Sequence, residues 1–207
     1  MDSYLAPAHQ QQFELDIKRS RFITTVGCVH DKVSARAFIQ SVRQTFPDAN
    51  HHCWAMVAGP PLDIYLQDQS DDGEPKGTAG KPMLNVLQHS QLGNIAVVVT
   101  RYFGGIKLGA GGLVRAYTQS VSGVLGSLIT IETYITQTLK ITVPYRLLES
   151  LEHRLVDTKI RVGQKEFHDV ITMELLVPLS EMQHLEAMLN ELGSGSIQLV
   201  KDAVHKH

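Results

Sequence analysis

The chain has 207 residues, 43% of them hydrophobic, and its 19 Lys and Arg nearly balance 21 Asp and Glu for a net charge of −2. That is enough apolar material for one large or two small domains, and it lacks the basic surplus of a bulk nucleic-acid binder. Two cysteines, Cys28 and Cys53, exclude both a disulfide framework and a four-cysteine zinc site.

No apolar run approaches the ~20 residues needed to cross a bilayer. The opening M-D-S-Y-L-A-P-A-H shows neither the basic nor the apolar region of a signal peptide. A cytoplasmic protein without membrane contact is therefore expected. The charge is nonetheless uneven. Lys18, Arg19, Arg21, Lys32, Arg36 and Arg43 face Asp31 alone, whereas Asp63, Asp68, Asp71, Asp72 and Glu74 follow with no base among them. Any nucleic-acid contact has to be a local patch.

Phe13, Leu15 and Ile17 alternate with polar residues as a half-buried strand does, and Phe22 to Val29 reads as its hairpin partner across a basic turn at Lys18–Arg21. Lys32 to Phe46 suits a helix stopped by Pro47. His51 to Gly59 is a strand in which His51 and Cys53 share one face, His52 and Trp54 the other. Core packing accounts for Cys53 and Trp54, with the histidines at the strand's wet end. Gln67 to Gly80 is polar and turn-rich and reads as a loop. Its Asp71-Asp72-Gly73-Glu74 run misses the EF-hand pattern, so a solvated or salt-bridged loop is expected and no metal. A short helix then runs from Thr78 or Gly80 to His89.

Ile95 to Val99 is a continuous β-branched run, the pattern of a strand buried on both faces. After Arg101 and Tyr102, glycines recur at 104, 105, 109, 111 and 112, and Leu113, Ala116, Tyr117, Val121 and Val124 follow at helical spacing. A central strand thus bends through glycines into a helix start, with Arg101, Lys107 and Arg115 nearby and no acid between Asn94 and Ile131. Free N–H groups and partial positive charge at such a place suit a phosphate. A tight turn whose glycines permit close packing is an equally simple account, since neither the P-loop nor G-x-G-x-x-G is present.

From Leu139 the pattern runs strand, helix, strand, strand, helix, strand, the βαββαβ order of a ferredoxin-like sheet with two helices on one face. Ser180-Glu181-Met182-Gln183 reads as a capping box before the last helix, and Gly193 follows that helix. The fold class is α+β. No constellation in this half looks catalytic, so it reads as a docking module for a protein partner.

Three ordered motifs coincide along the chain. They are His51-His52-Cys53-Trp54, then Ser70-Asp71-Asp72-Gly73-Glu74-Pro75 with Gly77-Thr78-Ala79-Gly80-Lys81-Pro82, and Arg101-Tyr102-Phe103-Gly104-Gly105 with Leu108-Gly109 and Gly111-Gly112-Leu113. Together they resemble the IMPACT family in its bacterial two-domain form. The resemblance implies an N-terminal domain over residues 1–135 with the fold of the second domain of ribosomal protein S five. It also implies a ferredoxin-like domain over 136–207 similar to the last domain of elongation factor G. Eukaryotic relatives regulate translation by competing for the activator of an initiation-factor kinase, a system bacteria lack. What carries over by analogy is a link to translation or RNA.

Two functions follow. The first is a non-enzymatic binding protein that holds RNA or the ribosome through Lys81, Arg101, Lys107, Arg115 and the backbone of Gly104, Gly105, Gly109, Gly111 and Gly112, without a cofactor. Tyr102, if exposed, would stack a base at roughly 1–3 kcal/mol, and at a strand end a core position is an equal expectation for it. The second is a hydrolase or phosphotransfer enzyme on a phosphate- or peptide-containing substrate, with His51, His52, Cys53, Asp71, Asp72 and Glu74 as its functional cluster. Convergence of the carboxylates with His51 in one pocket favours chemistry; pairing with Lys76, Lys81 and Arg101 favours a structural loop. The oligomeric state is left open.

Overall fold

The computed structural model describes residues 2–200. It divides into two compact units, Tyr4–Thr133 and residues 134–200 with residues 2–3. Both mix helices with sheets, so the chain is α+β throughout.

The first unit contains β1 (Ser3–Pro7), β2 (Gln11–Ile17), β3 (Ser20–Cys28), α1 (Lys32–Thr45), β4 (His51–Val57), β5 (Gln67–Ser70), α2 (Gly80–Ser90), β6 (Ile95–Tyr102), α3 (Ala110–Gly126) and β7 (Thr130–Tyr134). Its main sheet has the order β2-β3-β6-β4-β5, antiparallel at every joint, while β1 and β7 form a separate two-stranded ribbon. Strand β6 lies at the centre and is buried from Ile95 through Arg101, as its β-branched run requires.

Strand alternation sends its side chains to two different layers. Val97 and Val99 join Phe22, Cys53, Met83, Leu113 and Tyr117 in the core beneath α2 and α3. Ala96 and Val98 face the other way, where Ile39 and Val42 of α1 complete the packing. Helix α1 starts on a reciprocal cap: the Ser34 N–H donates to the Asp31 carboxylate at 2.6 Å and the Asp31 N–H to the Ser34 hydroxyl at 3.1 Å.

Two parts of the first unit differ from the sequence expectation. Gln67–Ser70, expected as loop, forms the edge strand β5 against Trp54–Val57. The free edge of β4 needs hydrogen-bond partners, and polar side chains are suited to the outermost strand. The ribbon strands β1 and β7 carry no alternation strong enough to announce them.

The second unit runs β8 (Thr136–Val143), α4 (Tyr145–Leu155), β9 (Arg161–Phe167), β10 (Ile171–Pro178), α5 (Met182–Gly193) and β11 (Gln198–Val200). The sheet order is β11-β8-β10-β9, again antiparallel. Ile171, Met173, Leu175 and Val177 alternate inward from β10 onto Leu151 and Leu155 of α4 and Leu185, Met188 and Leu189 of α5. The expected capping box at Ser180 does not form. Leu179–Glu181 is a 3-10 turn instead, and α5 begins without a side-chain cap. The turn's own bonds replace the cap, the Met182 N–H donating to the Leu179 carbonyl.

Candidate functional site

The sequence elements singled out above meet where β6 leaves the sheet. Gly105 and Gly109 take φ of +85° and +73°, conformations that side chains rarely adopt, and so turn the chain from β6 into α3. Gly104 serves a different purpose: a Cβ there would collide with the backbone of Arg19. Arg19 and Lys18 form the two-residue turn between β2 and β3, at φ of 67° and 47°, where Asn-Gly would be usual. The basic turn is therefore packed directly against the glycine bend. The Phe103 N–H donates to the Asn50 side-chain oxygen at 2.8 Å, tying the bend to the start of β4.

Helix α3 opens at Gly109 with no side-chain cap. The Leu113 N–H donates to the Gly109 carbonyl, which leaves the N–H groups of Ala110, Gly111 and Gly112 without intrahelical partners. Gly109 and Ala110, at the very start of the helix, border a pocket of about 380 Å³ also lined by His51, Glu74, Arg101, Phe103, Lys107 and Leu113, among others. Lys107 is exposed on its rim and has no acidic partner among the described residues.

The floor is a buried ion pair. Arg101 Nη1 donates to Glu74 Oε1 at 2.5 Å, and the Tyr117 hydroxyl donates to the same oxygen at 2.8 Å. The guanidinium lies 5.4 Å from the Phe22 ring and 5.7 Å from that of Phe103, within cation–π range. Its Nε–H is buried with no hydrogen-bond partner among the described residues. Arg101 is thus interior and already paired, in contrast to the free cation that the sequence expectation made of it.

Each acidic residue of the Asp71–Glu74 loop has its own structural partner. The Asp71 carboxylate accepts from the N–H groups of Gly77, Ala79 and Gly80 at 2.7, 3.0 and 2.9 Å, holding the start of α2. Burial pushes its carboxyl up, but the Gly77, Gly80 and Ala79 donors outweigh that and hold it below the ordinary range. Asp72 pairs with Arg43 and accepts from the His52 N–H at 2.6 Å. Glu74 pairs with Arg101 as described. Neutralising pairs therefore dominate, although Glu74 also shares the pocket with His51.

His51 and His52 separate as alternation demands. His52 is buried, its Nε2 3.0 Å from the Phe46 carbonyl. His51 lines the pocket, with Nδ1 2.8 Å from the Asp72 carbonyl. A carbonyl only accepts, so Nδ1 carries the proton. Cys53 is fully buried, 2.9 Å from the Asp71 carbonyl and 3.2 Å from the Tyr117 hydroxyl. Desolvation pushes its thiol up to about 12, so it stays protonated at neutral pH and is poorly suited to be a nucleophile. Among the described residues no three His, Cys, Asp or Glu side chains gather to hold a metal ion.

Other expected contacts are displaced. Lys81 lines a separate groove of about 580 Å³ between α2 and α3, with Asn85, His89, Val114 and Thr118. Arg115 is exposed in α3, one turn beyond the free N–H groups. Tyr102 follows Ala96 and Val98 toward the α1 face, and it is Phe103, half exposed, that walls the pocket. Sequence reasoning passed over Phe103 and Asn50. The signal for Phe103 was alternation itself, since the residue after an outward Tyr102 returns to the side of Arg101.

Comparison with known proteins finds matches to both parts of the chain. The Impact N-terminal domain matches residues 18–125, and a domain of unknown function, DUF1949, matches residues 141–196. An IMPACT family member from Haemophilus influenzae is 42% identical over 95% of this chain and 96% of its own. The IMPACT family member YigZ of Escherichia coli is 39% identical over 97% and 98%. The member YvyE of Bacillus subtilis is 35% identical over 94% and 89%. A crystal structure of a hypothetical protein covers 100% of both chains at 38% identity with a TM-score of 0.79. No helix among the described residues is long and apolar enough to cross a membrane. With two family domains in order and relatives matched almost end to end, this chain belongs to the IMPACT family.

Proposed function

We propose that this protein is a non-enzymatic binding module linked to translation, whose Tyr4–Thr133 unit holds RNA phosphate at the start of α3. The observation that carries the reading is the uncapped N-terminus of α3, opening on a pocket floored by Arg101 and rimmed by Lys107, which has no acidic partner among the described residues. Oriented N–H groups, a helix dipole and a cation recognise phosphate oxygens without reading base sequence. The Lys18–Arg19 turn, packed on Gly104, adds two exposed bases beside it. The family resemblance of the motifs implies a likeness of the two domains to the second domain of ribosomal protein S five and the last domain of elongation factor G, and that implied likeness favours the ribosome as partner. The second unit is assigned the docking role: β9 is exposed along its whole length at one edge of its sheet, open to a strand from a partner.

The buried, protonated Cys53 and the individually paired carboxylates weigh against the hydrolase or phosphotransfer alternative. The test is cosedimentation of the full chain with ribosomes and with RNA at low and moderate salt, beside Lys107→Ala. Salt-sensitive association weakened in the variant is expected. No association under any condition overturns the reading.

A further inference from the structure

We propose that the groove between α2 and α3 is a docking site for an acidic amphipathic helix of a partner protein, separate from the pocket assigned to RNA phosphate.

Two helical ridges build the groove. Lys81, Asn85 and His89 recur every fourth residue along α2, and Val114, Thr118 and Ser122 do so along α3. Pro82, which is buried, and Val86, which is half-buried, complete an apolar lining between them. The enclosed volume of about 580 Å³ exceeds that of the pocket at the start of α3.

Charge sets the sign of the occupant. No residue lining the groove is acidic. From Pro75 to Ile131, a stretch that contains both helices, the chain carries no Asp or Glu at all. Lys81, and Lys76 beside the lining Gly77, are exposed and have no acidic partner among the described residues. A protein of net charge −2 thus leaves positive charge unneutralised along this one groove. It attracts carboxylates and rejects basic segments.

Shape selects a helix. An extended segment lying across two helices finds no strand edge for its N–H and C=O groups, whereas a helix satisfies its own. Ridges of every fourth residue are what a packed helix interlocks with, and the small Thr118 and Ser122 let it approach closely. From Lys81 to His89 the ridge runs about 12 Å at 1.5 Å per residue, about two turns of such a helix. Its aliphatic side chains rest on Pro82, Val86 and Val114, and its carboxylates meet the Lys81 ammonium and the Asn85 amide. His89 adds no negative charge: its Nδ1–H donates to the Asn85 carbonyl at 2.6 Å. RNA is the poorer occupant, because no aromatic ring or guanidinium lines the groove to stack a base.

The experiment titrates the isotopically labelled full chain with a blocked helical peptide of about 15 residues, Leu and Ala on one face and Glu on the other. The same peptide with Lys for Glu, and a single-stranded RNA, serve as comparison probes. Affinity is read by anisotropy and the site by amide chemical shifts. The acidic peptide is expected to bind more tightly than the basic one and to shift residues of α2 and α3 along the groove. Lys81→Glu and Ser122→Glu should each weaken it about tenfold, the scale of one lost charge-assisted contact. Both variants keep their fold: each site is exposed, an acid suits the first turn of α2, and Glu is a better helix former than Ser. Lys107→Ala, outside the groove, should leave peptide binding unchanged.

Equal binding of the acidic and basic peptides, shifts that fall elsewhere, or no binding of the acidic peptide overturns the inference. Stronger binding of RNA at these same residues overturns it in favour of a nucleic-acid groove. Shifts of these residues with rising protein concentration and no peptide would instead assign the groove to a second copy of the chain.

Discussion

Glu74 and Arg101 meet at 2.5 Å with side chains only 3% and 6% exposed, so one of the charged residues expected to bind ligand is also holding the fold together. Breaking a buried pair from one side leaves an uncompensated charge, which costs about 3–5 kcal/mol. Arg101→Ala should therefore unfold at markedly lower denaturant than the parent. The double variant Glu74→Gln, Arg101→Met removes both charges and should recover most of that loss. Equilibrium urea unfolding of the three proteins checks this, and an unchanged midpoint for Arg101→Ala would show that the pair contributes nothing. For the same reason Arg101 is a poor residue on which to test binding, and Lys107 a good one.

The neighbouring glycines 104 and 105 should respond differently to alanine. A Cβ on Gly104 meets the backbone of Arg19, which has to move, and overpacking of this kind costs about 1–3 kcal/mol. A Cβ on Gly105 has open space and meets only the penalty of its φ of +85°, about 1 kcal/mol. Gly104→Ala should also loosen the Lys18–Arg19 turn. Thermal unfolding of both variants, with amide hydrogen exchange at residues 18–21, separates the two effects. Equal losses with unchanged exchange in both would mean that the turn does not depend on the contact.

Asp71 makes acid stability testable. Its carboxyl is held below the ordinary range, burial being outweighed by the Gly77, Gly80 and Ala79 N–H groups. A depressed folded-state value stabilises the protein fully above the unfolded value, near pH ~4, and the contribution disappears as pH falls through the lower folded one. Asp71→Ala should cost about 1–2 kcal/mol at pH 7, by analogy with lost helix caps. The gap between parent and variant should close below pH ~4, as the parent's carboxylate protonates. Chemical denaturation at several pH values reads it, and a gap that stays constant into acid would contradict this account of the loop.

How much of this was legible in the residues divides along physical lines. Strong periodicity announced β6, α1 and the βαββαβ unit, because burial imposes one pattern on helices and another on strands. The weak elements were silent: β5 is polar since it lies at an edge, and β1 and β7 are short. Alternation correctly parted His51 from His52, yet the same rule, carried two residues beyond Thr100, would have exchanged Tyr102 for Phe103. The pairing of Asp72 with Arg43 joins residues 29 apart along the chain, and of Glu74 with Arg101 residues 27 apart. Charge counting sees such residues only as an acidic loop and a basic stretch. Lys81 was placed with the glycine bend because both lie near helix starts, but those starts open on separate cavities.

Lys107 gives the cleanest test of the electrostatics. It is exposed, has no partner among the described residues and bears no part of the core, so Lys107→Ala should leave the unfolding midpoint within about 0.5 kcal/mol of the parent. Affinity for single-stranded RNA should fall with salt through counterion release, the logarithmic slope changing by about 0.7 for each phosphate neutralised. Removing Lys107 should therefore weaken binding for every base sequence alike and flatten the slope by about that amount. The measurement is a salt titration of binding by parent and variant on two RNAs of unrelated sequence. A variant that binds more weakly with an unchanged slope would place Lys107 in packing and not in phosphate contact. A loss confined to one of the two sequences would mean that the pocket reads bases, which neither the helix N-terminus nor a lone ammonium can do.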